Sequence, residues 1–305
     1  CPSAAASRGR ALSAHFGALQ QLLPQVAERG EVTTVAPPFS DGREVGWPAL
    51  KRVTASFDRL VADISLSLTD RLLACVDLAA LLADAPLEAL RGQELDDYLT
   101  AAVRRVVERR LEEPFRRRPP RLSTMALFRQ LAGMYGRADR LGQAAQAASR
   151  LLTSLRVLVG VGTVPAIRAD FPQASFAAIE RVSGLLPPEA ATVLARYYRT
   201  RFASLGFFGP GYYGRSYLDG LNALLLTYPL LLWYARFFAA GGGRDRPGAA
   251  DAIRALTVVD HQHGRAPLLD HPSERRRRAV LTEPDTLRTL MAWYGNAASD
   301  QQESA

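Results

Sequence analysis

The sequence predicts an all-α fold, an irregular multi-helix bundle around one long buried central helix near 216–239. Three observations predict it. Apolar residues recur at helical spacing in nearly every periodic segment, and no stretch alternates as a half-buried strand would. A chain of 305 residues with 48% apolar and 22% charged residues can bury a large core. The longest apolar run, 220–235, lies between Asp219 and Arg236 and contains Asn222 and Pro229. A membrane span needs about 20 apolar residues. This shorter run is expected to be a core helix kinked at Pro229, and no transmembrane segment is expected.

The elements follow in order. A first helix is expected over 3–29, bent near Pro24, and then a Gly/Pro-rich connection over 30–48. Val53, Phe57, Leu60, Val61 and Ile64 fall on one face and mark a helix over 48–65. Thr69 is the expected N-cap of the next helix, which runs through Leu72, Leu73, Val76 and Leu82. Leu95, Leu99, Val103, Val106 and Leu111 mark another, ending before Pro114. A basic, proline-bearing linker follows over 115–121. Further helices are expected over 124–135, 140–158, 174–185, 188–205 and 216–239, then a short one over 249–259. The stretch 261–272 reads as irregular. Thr282-Glu283-Pro284-Asp285 has the form of a capping box and opens a last helix to Tyr294. The whole chain, 1–305, is expected to be one helical domain with a sub-boundary near 114–123 and a frayed tail over 296–305.

Charge and cysteine content narrow the setting. The formal charge is +8, and Lys51 is the only lysine among 38 basic residues. A GC-rich bacterial genome accounts for that arginine bias, so no specific nucleic-acid binding is expected from the count. The two cysteines, Cys1 and Cys75, make no disulfide framework. Cys75 sits in an apolar helical run and is expected to be a buried free thiol. A reducing, cytoplasmic setting is expected. The sequence begins at Cys1, which is either the acylated end of a lipoprotein anchored at a membrane or the cut edge of a longer protein.

Three constellations are candidate sites. His261 and His263, with Asp260 between Val259 and His261, offer weak metal-ligand chemistry. Arg275, Arg276, Arg277 and Arg278 form a dense positive block that attracts anions or an acidic protein partner, although pairing with Glu274 and Glu283 would neutralise it. Tyr197, Tyr198, Tyr212 and Tyr213 lie in a run rich in aromatics and glycines. They are candidates for a pocket wall or for packing around a tight positive-φ turn. The lysine and Ser/Thr of a phosphate loop are absent there, and the sequence contains no G-x-S-x-G and no H-E-x-x-H. No catalytic residue is assigned.

Several segments together resemble the region downstream of the cysteine cluster in YkgJ-type cysteine-cluster proteins, which include the flagellin lysine-N-methylase family. Cys1-Pro2-Ser3-Ala4-Ala5-Ala6-Ser7-Arg8 is similar to that family's Ser-Cys-Pro-Glu-Ala-Ala-Arg run, with Ser3 in place of the acid. Phe57-Asp58-Arg59-Leu60 with Leu66-Ser67-Leu68-Thr69-Asp70-Arg71-Leu72-Leu73 resembles its helix pair. Tyr197-Tyr198, Phe207-Phe208-Gly209 and Tyr228-Pro229-Leu230 resemble its C-terminal helical part. The resemblance implies the helical body of an Fe–S or zinc cluster protein, with Cys1 as one thiolate ligand. It further implies S-adenosylmethionine-dependent methylation of protein lysines in some members. The upstream cysteines of that cluster do not occur in this sequence, and no cofactor is evident in these residues. The alternative expectations are a non-enzymatic helical scaffold that binds acidic partners, or a lipoprotein anchored through Cys1.

Overall fold

The computed structural model describes residues 36–113, 115, 117–137, 156–165 and 168–295. It is all-α, as the sequence predicts. Cys1, the expected helix over 3–29, most of that over 140–158 and the tail over 296–305 lie outside the described residues.

The described chain opens with a small hairpin that the sequence reading did not expect. Here β1 (Pro38–Ser40) pairs antiparallel with β2 (Arg43–Glu44). Strands this short carry too few residues to display alternation. Ten helices are then named in chain order: α1 (Trp47–Ala62), α2 (Leu68–Ala83), α3 (Gly92–Glu112), α4 (Leu122–Arg137), α5 (Phe176–Arg181), α6 (Pro188–Ser204), α7 (Tyr217–Gly241), α8 (Ala249–Gln262), α9 (Pro272–Leu281) and α10 (Pro284–Gly295). A single 3-10 turn, Pro267–Asp270, links α8 to α9.

The long helix α7 is the centre of the fold. Its N-cap Ser216 accepts from the Asp219 backbone N–H at 3.3 Å. It is long and apolar enough to cross a membrane by length and composition, and 94% of its most apolar 18-residue window is buried within the protein. It packs against α8, α10, α2, α5 and β1, so apolar side chains all round the helix find partners. The helix continues through Pro229. Two positions earlier, the Thr227 hydroxyl donates to the Leu224 carbonyl at 2.5 Å and lies 2.9 Å from the Tyr198 hydroxyl.

The turn from α6 into α7 is the tight, positive-φ turn that its glycines predict. Gly209 adopts φ +54°, and its N–H donates to the Arg215 carbonyl at 2.7 Å. The turn lies directly on α7: a Cβ on Gly220 would stand 1.9 Å from the Phe207 carbonyl oxygen. Phe207 and Phe208 then close edge-on over Tyr217, at 5.2 and 5.3 Å.

Several local expectations are corrected. Ser67, not Thr69, caps α2, accepting from the Asp70 N–H at 3.1 Å. Thr69 is buried instead, its hydroxyl 2.8 Å from that of Tyr228. The capping box at 282–285 does not form, because Thr282 closes α9 by donating to the Arg278 carbonyl at 2.8 Å. The helix expected over 174–185 is confined to α5. Residues 272–281, read as part of no helix, form α9, with Pro272 at its first turn. Its inward positions are Glu274, Arg278 and Leu281, at i, i+4 and i+7. Two of those three are charged, which hid the amphipathic pattern. In the basic linker, Arg117 stacks over the Trp293 ring at 4.3 Å, and the buried core includes residues from both sides of 114–123.

Candidate functional site

A cleft of about 1070 Å³ opens between α1 and α6, floored by α7 and closed at one end by α10 and the start of α2. That volume is at the upper end of small-molecule sites. Contacts fix the relation of its two walls. Trp47 packs on Phe208, Phe57 on Phe202, and Asp58 pairs with Arg199. Residue numbers rise on one side as they fall on the other, so α1 and α6 run antiparallel.

The room between them has a sequence cause. The cleft-facing positions of α6 include Ala191, Thr192, Ala195, Thr200 and Ala203. Its core-facing positions are Leu194, Tyr197 and Tyr198, all buried, while the buried Phe202 also borders the cleft. Thr54, Ala55 and Ala62 do the same on α1. Small residues on both walls at helical spacing leave a groove where large ones would have closed it.

Charge in the cleft is one-sided. Lys51, Arg71, Arg196, Arg199 and Arg236 line it, against the single carboxylate of Asp58. Arg199 is bound to Asp58 at 2.8 and 3.1 Å. Arg71 is spent on backbone carbonyls, donating to Leu66 at 2.8 Å and Val61 at 3.2 Å. Lys51 and Arg196 are exposed at the cleft's edge. Low-dielectric walls carrying one sign of charge focus the field into the space between them.

Arg236 differs from the rest. It is only 2% exposed, its Nη2 donates to the Tyr294 carbonyl at 2.9 Å, and its guanidinium lies over the Tyr294 ring at 5.1 Å. Its Nη1 is buried with no hydrogen-bond partner among the described residues, and no described carboxylate lies within ion-pair reach. Burial pushes its pKa down, while Tyr294 and Glu180 pull it up and Arg117 adds to the lowering. A guanidinium nevertheless keeps its proton in a protein. Glu180 is engaged elsewhere, accepting from Trp293 Nε1 at 3.1 Å and from the Tyr294 hydroxyl at 3.0 Å. A buried charge with an open donor is costly, and such groups concentrate at functional sites.

The residues singled out from the sequence lie elsewhere. Tyr197, Tyr198, Tyr212 and Tyr213 do not line the cleft. Tyr197 meets Tyr198 edge-on at 5.2 Å, and Tyr212 meets Tyr213 at 4.9 Å. His263 stacks on Tyr212 at 4.8 Å, and its Nδ1 lies 2.9 Å from the Tyr135 hydroxyl. Burial pushes the Tyr197 and Tyr212 hydroxyls up to about 12 and His263 well below its ordinary range, where Arg201, Arg278 and Arg265 reinforce the effect. The cluster is therefore uncharged at neutral pH and packs as a polar core.

His261 is exposed while His263 is buried. Among the described residues, no group of three or more His, Cys, Asp and Glu is placed to hold a metal ion. The arginine block is largely consumed within the protein. Arg275 holds Asp270 at 2.6 and 3.0 Å, and Arg277 donates to Glu274. Arg278 donates to the Leu269 carbonyl at 2.5 Å and covers the rings of Tyr212 and Tyr213. Arg276 is exposed.

Sequence reading missed the cleft because its lining comes from segments far apart in the chain. One signal was present: Arg236 is the lone charge within α7 beyond its first turn, and it served only as the boundary of an apolar run. Comparison with protein-family models, with curated proteins and with solved structures finds no match to this chain.

Proposed function

We propose that this domain is a binding module whose cleft between α1 and α6 captures an anionic ligand. One observation carries the reading: five basic side chains and one carboxylate line an otherwise small-residue and apolar cleft of about 1070 Å³. Arg236, with its open Nη1, is the anchor at the deep end. Little of it is exposed, so a ligand reaches it by shifting the side chains that overlie it. Lys51 and Arg196 draw the anion in by long-range attraction.

Thermal melts at constant ionic strength test the reading. Acetate, benzoate and inorganic phosphate are each exchanged for chloride with the wild-type chain and with Arg236→Met. A ligand that binds only the folded state raises the melting temperature. The wild type should gain stability from at least one of the three anions, and the variant should gain less. Equal gains in the two proteins overturn the assignment to Arg236.

The metal-cluster and lysine-methylase reading is a separate proposal. It rests on the run that begins at Cys1 and on its likeness to the cysteine-cluster family, not on the cleft. Iron and zinc content of the protein purified from its native source tests it, and metal-free protein would remove it.

A further inference from the structure

Building on the anion-binding reading, we propose that the ligand is a single-headed amphiphile, an anionic group on an apolar chain. The head lies inward at Arg236 and the chain runs along the small-residue groove toward Lys51.

The two ends of the cleft differ in chemistry. Tyr294 lies against the Arg236 guanidinium, and Val61, Leu68, Leu186 and Leu232 are among the apolar residues that line the cleft. A hydrophilic polyanion placed there would satisfy one donor and leave its remaining charges against hydrocarbon, which is unfavourable. A single carboxylate or phosphate on an apolar body would satisfy Nη1 and bury the rest of the molecule.

From Ala62 back to Lys51 the α1 wall is twelve residues, a rise of about 16 Å. That is room for an extended alkyl chain. The opposite wall, Ala191 through Ala203, presents alanines, threonines, Phe202 and two arginines, with no carboxylate. Lys51, exposed at the far end, has a long aliphatic stem that can cover a chain while its charged end stays in water.

The rim beside the deep end is apolar as well. Ile64 is 88% exposed and Leu185 63% exposed, and both line the cleft. Two large exposed hydrophobic residues on one rim give the cleft an apolar edge beside Arg236. The same chemistry is offered by a free fatty anion and by a membrane lipid, and the experiment separates them.

Isothermal titration of the full chain with acetate, hexanoate, decanoate, decyl phosphate and decanol supplies the test. Decanoate and decyl phosphate should bind, each added buried methylene tightening binding by about fourfold. Decanol, which lacks the anion, should bind at least tenfold more weakly. Arg236→Met should weaken decanoate about tenfold or more, whereas Lys51→Gln should change it less than threefold. Ala203→Phe, which narrows the groove at the end away from Ala62 and Arg236, should weaken the dependence on chain length and leave acetate binding unchanged.

Acetate and decanoate binding equally in the wild type, with both weakened by Arg236→Met, would overturn the amphiphile and leave the anion site standing. Decanoate binding lost in Lys51→Gln but kept in Arg236→Met would overturn the inward orientation. Decanoate affinity unchanged in every variant would overturn both readings. Vesicles of phosphatidylglycerol and phosphatidylcholine form a last arm. Sedimentation with those vesicles, without binding of monomeric decanoate, would replace the free amphiphile by a lipid surface.

Discussion

Arg199 on α6 grips Asp58 on α1 with two hydrogen bonds, at 2.8 and 3.1 Å, across the cleft that both residues line. The pair ties the two walls together and also neutralises one of the cleft's cations. Both side chains are a third or more exposed, so water screens the pair and its share of stability is small. Asp58→Asn is therefore expected to change unfolding free energy by less than about 1 kcal/mol. It should also raise anion affinity several-fold by freeing Arg199. Urea unfolding and titration with decanoate check the two halves separately, and weaker anion binding in Asp58→Asn would contradict the proposed sign.

Arg236→Met should fold and melt no more than a few degrees below the wild type. The change removes a buried, incompletely paired charge and keeps similar volume, which is often neutral or stabilising. The lost bond to the Tyr294 carbonyl offsets part of that gain, at about 1 kcal/mol. A drop of many degrees would mean that Arg236 is a structural brace rather than a ligand anchor.

Leu225 and Leu231 are 0% and 1% exposed on α7. Leu225→Asp and Leu231→Asp should each unfold the domain. The substitution forfeits about 2 kcal/mol of apolar burial and adds several kcal/mol for an unpaired buried carboxylate. Total stabilities are about 5–15 kcal/mol. Soluble protein with a native circular dichroism spectrum from either variant would show that the site tolerates solvent.

Cys75 is fully buried, and burial pushes its thiol far above the ordinary cysteine range, with Asp77 adding to the shift. The nucleophile is the thiolate, so Cys75 should resist thiol reagents in native protein and react promptly in denaturant. Kinetics with an aromatic disulfide reagent, with and without guanidinium, give the ratio. Rapid reaction in the native state would expose an opening of α2.

His263 gives the fold an acid-sensitive point. Burial, aided by Arg201, Arg278 and Arg265, lowers its pKa in the folded state, so the unfolded chain takes up the proton first as pH falls. Stability is then lost as pH drops below about 6.5, by at most about 1.4 kcal/mol per pH unit from this one group. His263→Phe should flatten that part of the stability profile measured by urea unfolding between pH 5 and 7. A wild-type profile with the same slope as the variant would assign the acid sensitivity to other groups.

The parts of the fold that were legible in the sequence were those where one short-range pattern decides the outcome. The apolar run ending at Arg236 had no polar face, and only a helix surrounded by protein accommodates that. Gly209 and Gly214 marked a tight turn because few other residues adopt positive φ readily. α9 was illegible because charged Glu274 and Arg278 occupy inward positions, and Arg278 is held there by the rings of Tyr212 and Tyr213, more than sixty residues away. Thr69 looked like a cap for a similar reason, since its true partner, Tyr228, is 159 residues away. The cleft is the extreme case. Its small residues on α6 are ordinary helix formers, and only packing against α1 turns them into a groove.

The place of α7 along the chain sets a timetable for synthesis. Its partners β1 and α2 leave the ribosome well over a hundred residues before it does, with their apolar faces formed for a helix that has not yet been made. A ribosome stalled before Tyr217 thus holds a chain with a vacant centre, a substrate for chaperones rather than a folded intermediate. Folding waits on α7 and on the helices α8 and α10, which pack on it from beyond it in the chain.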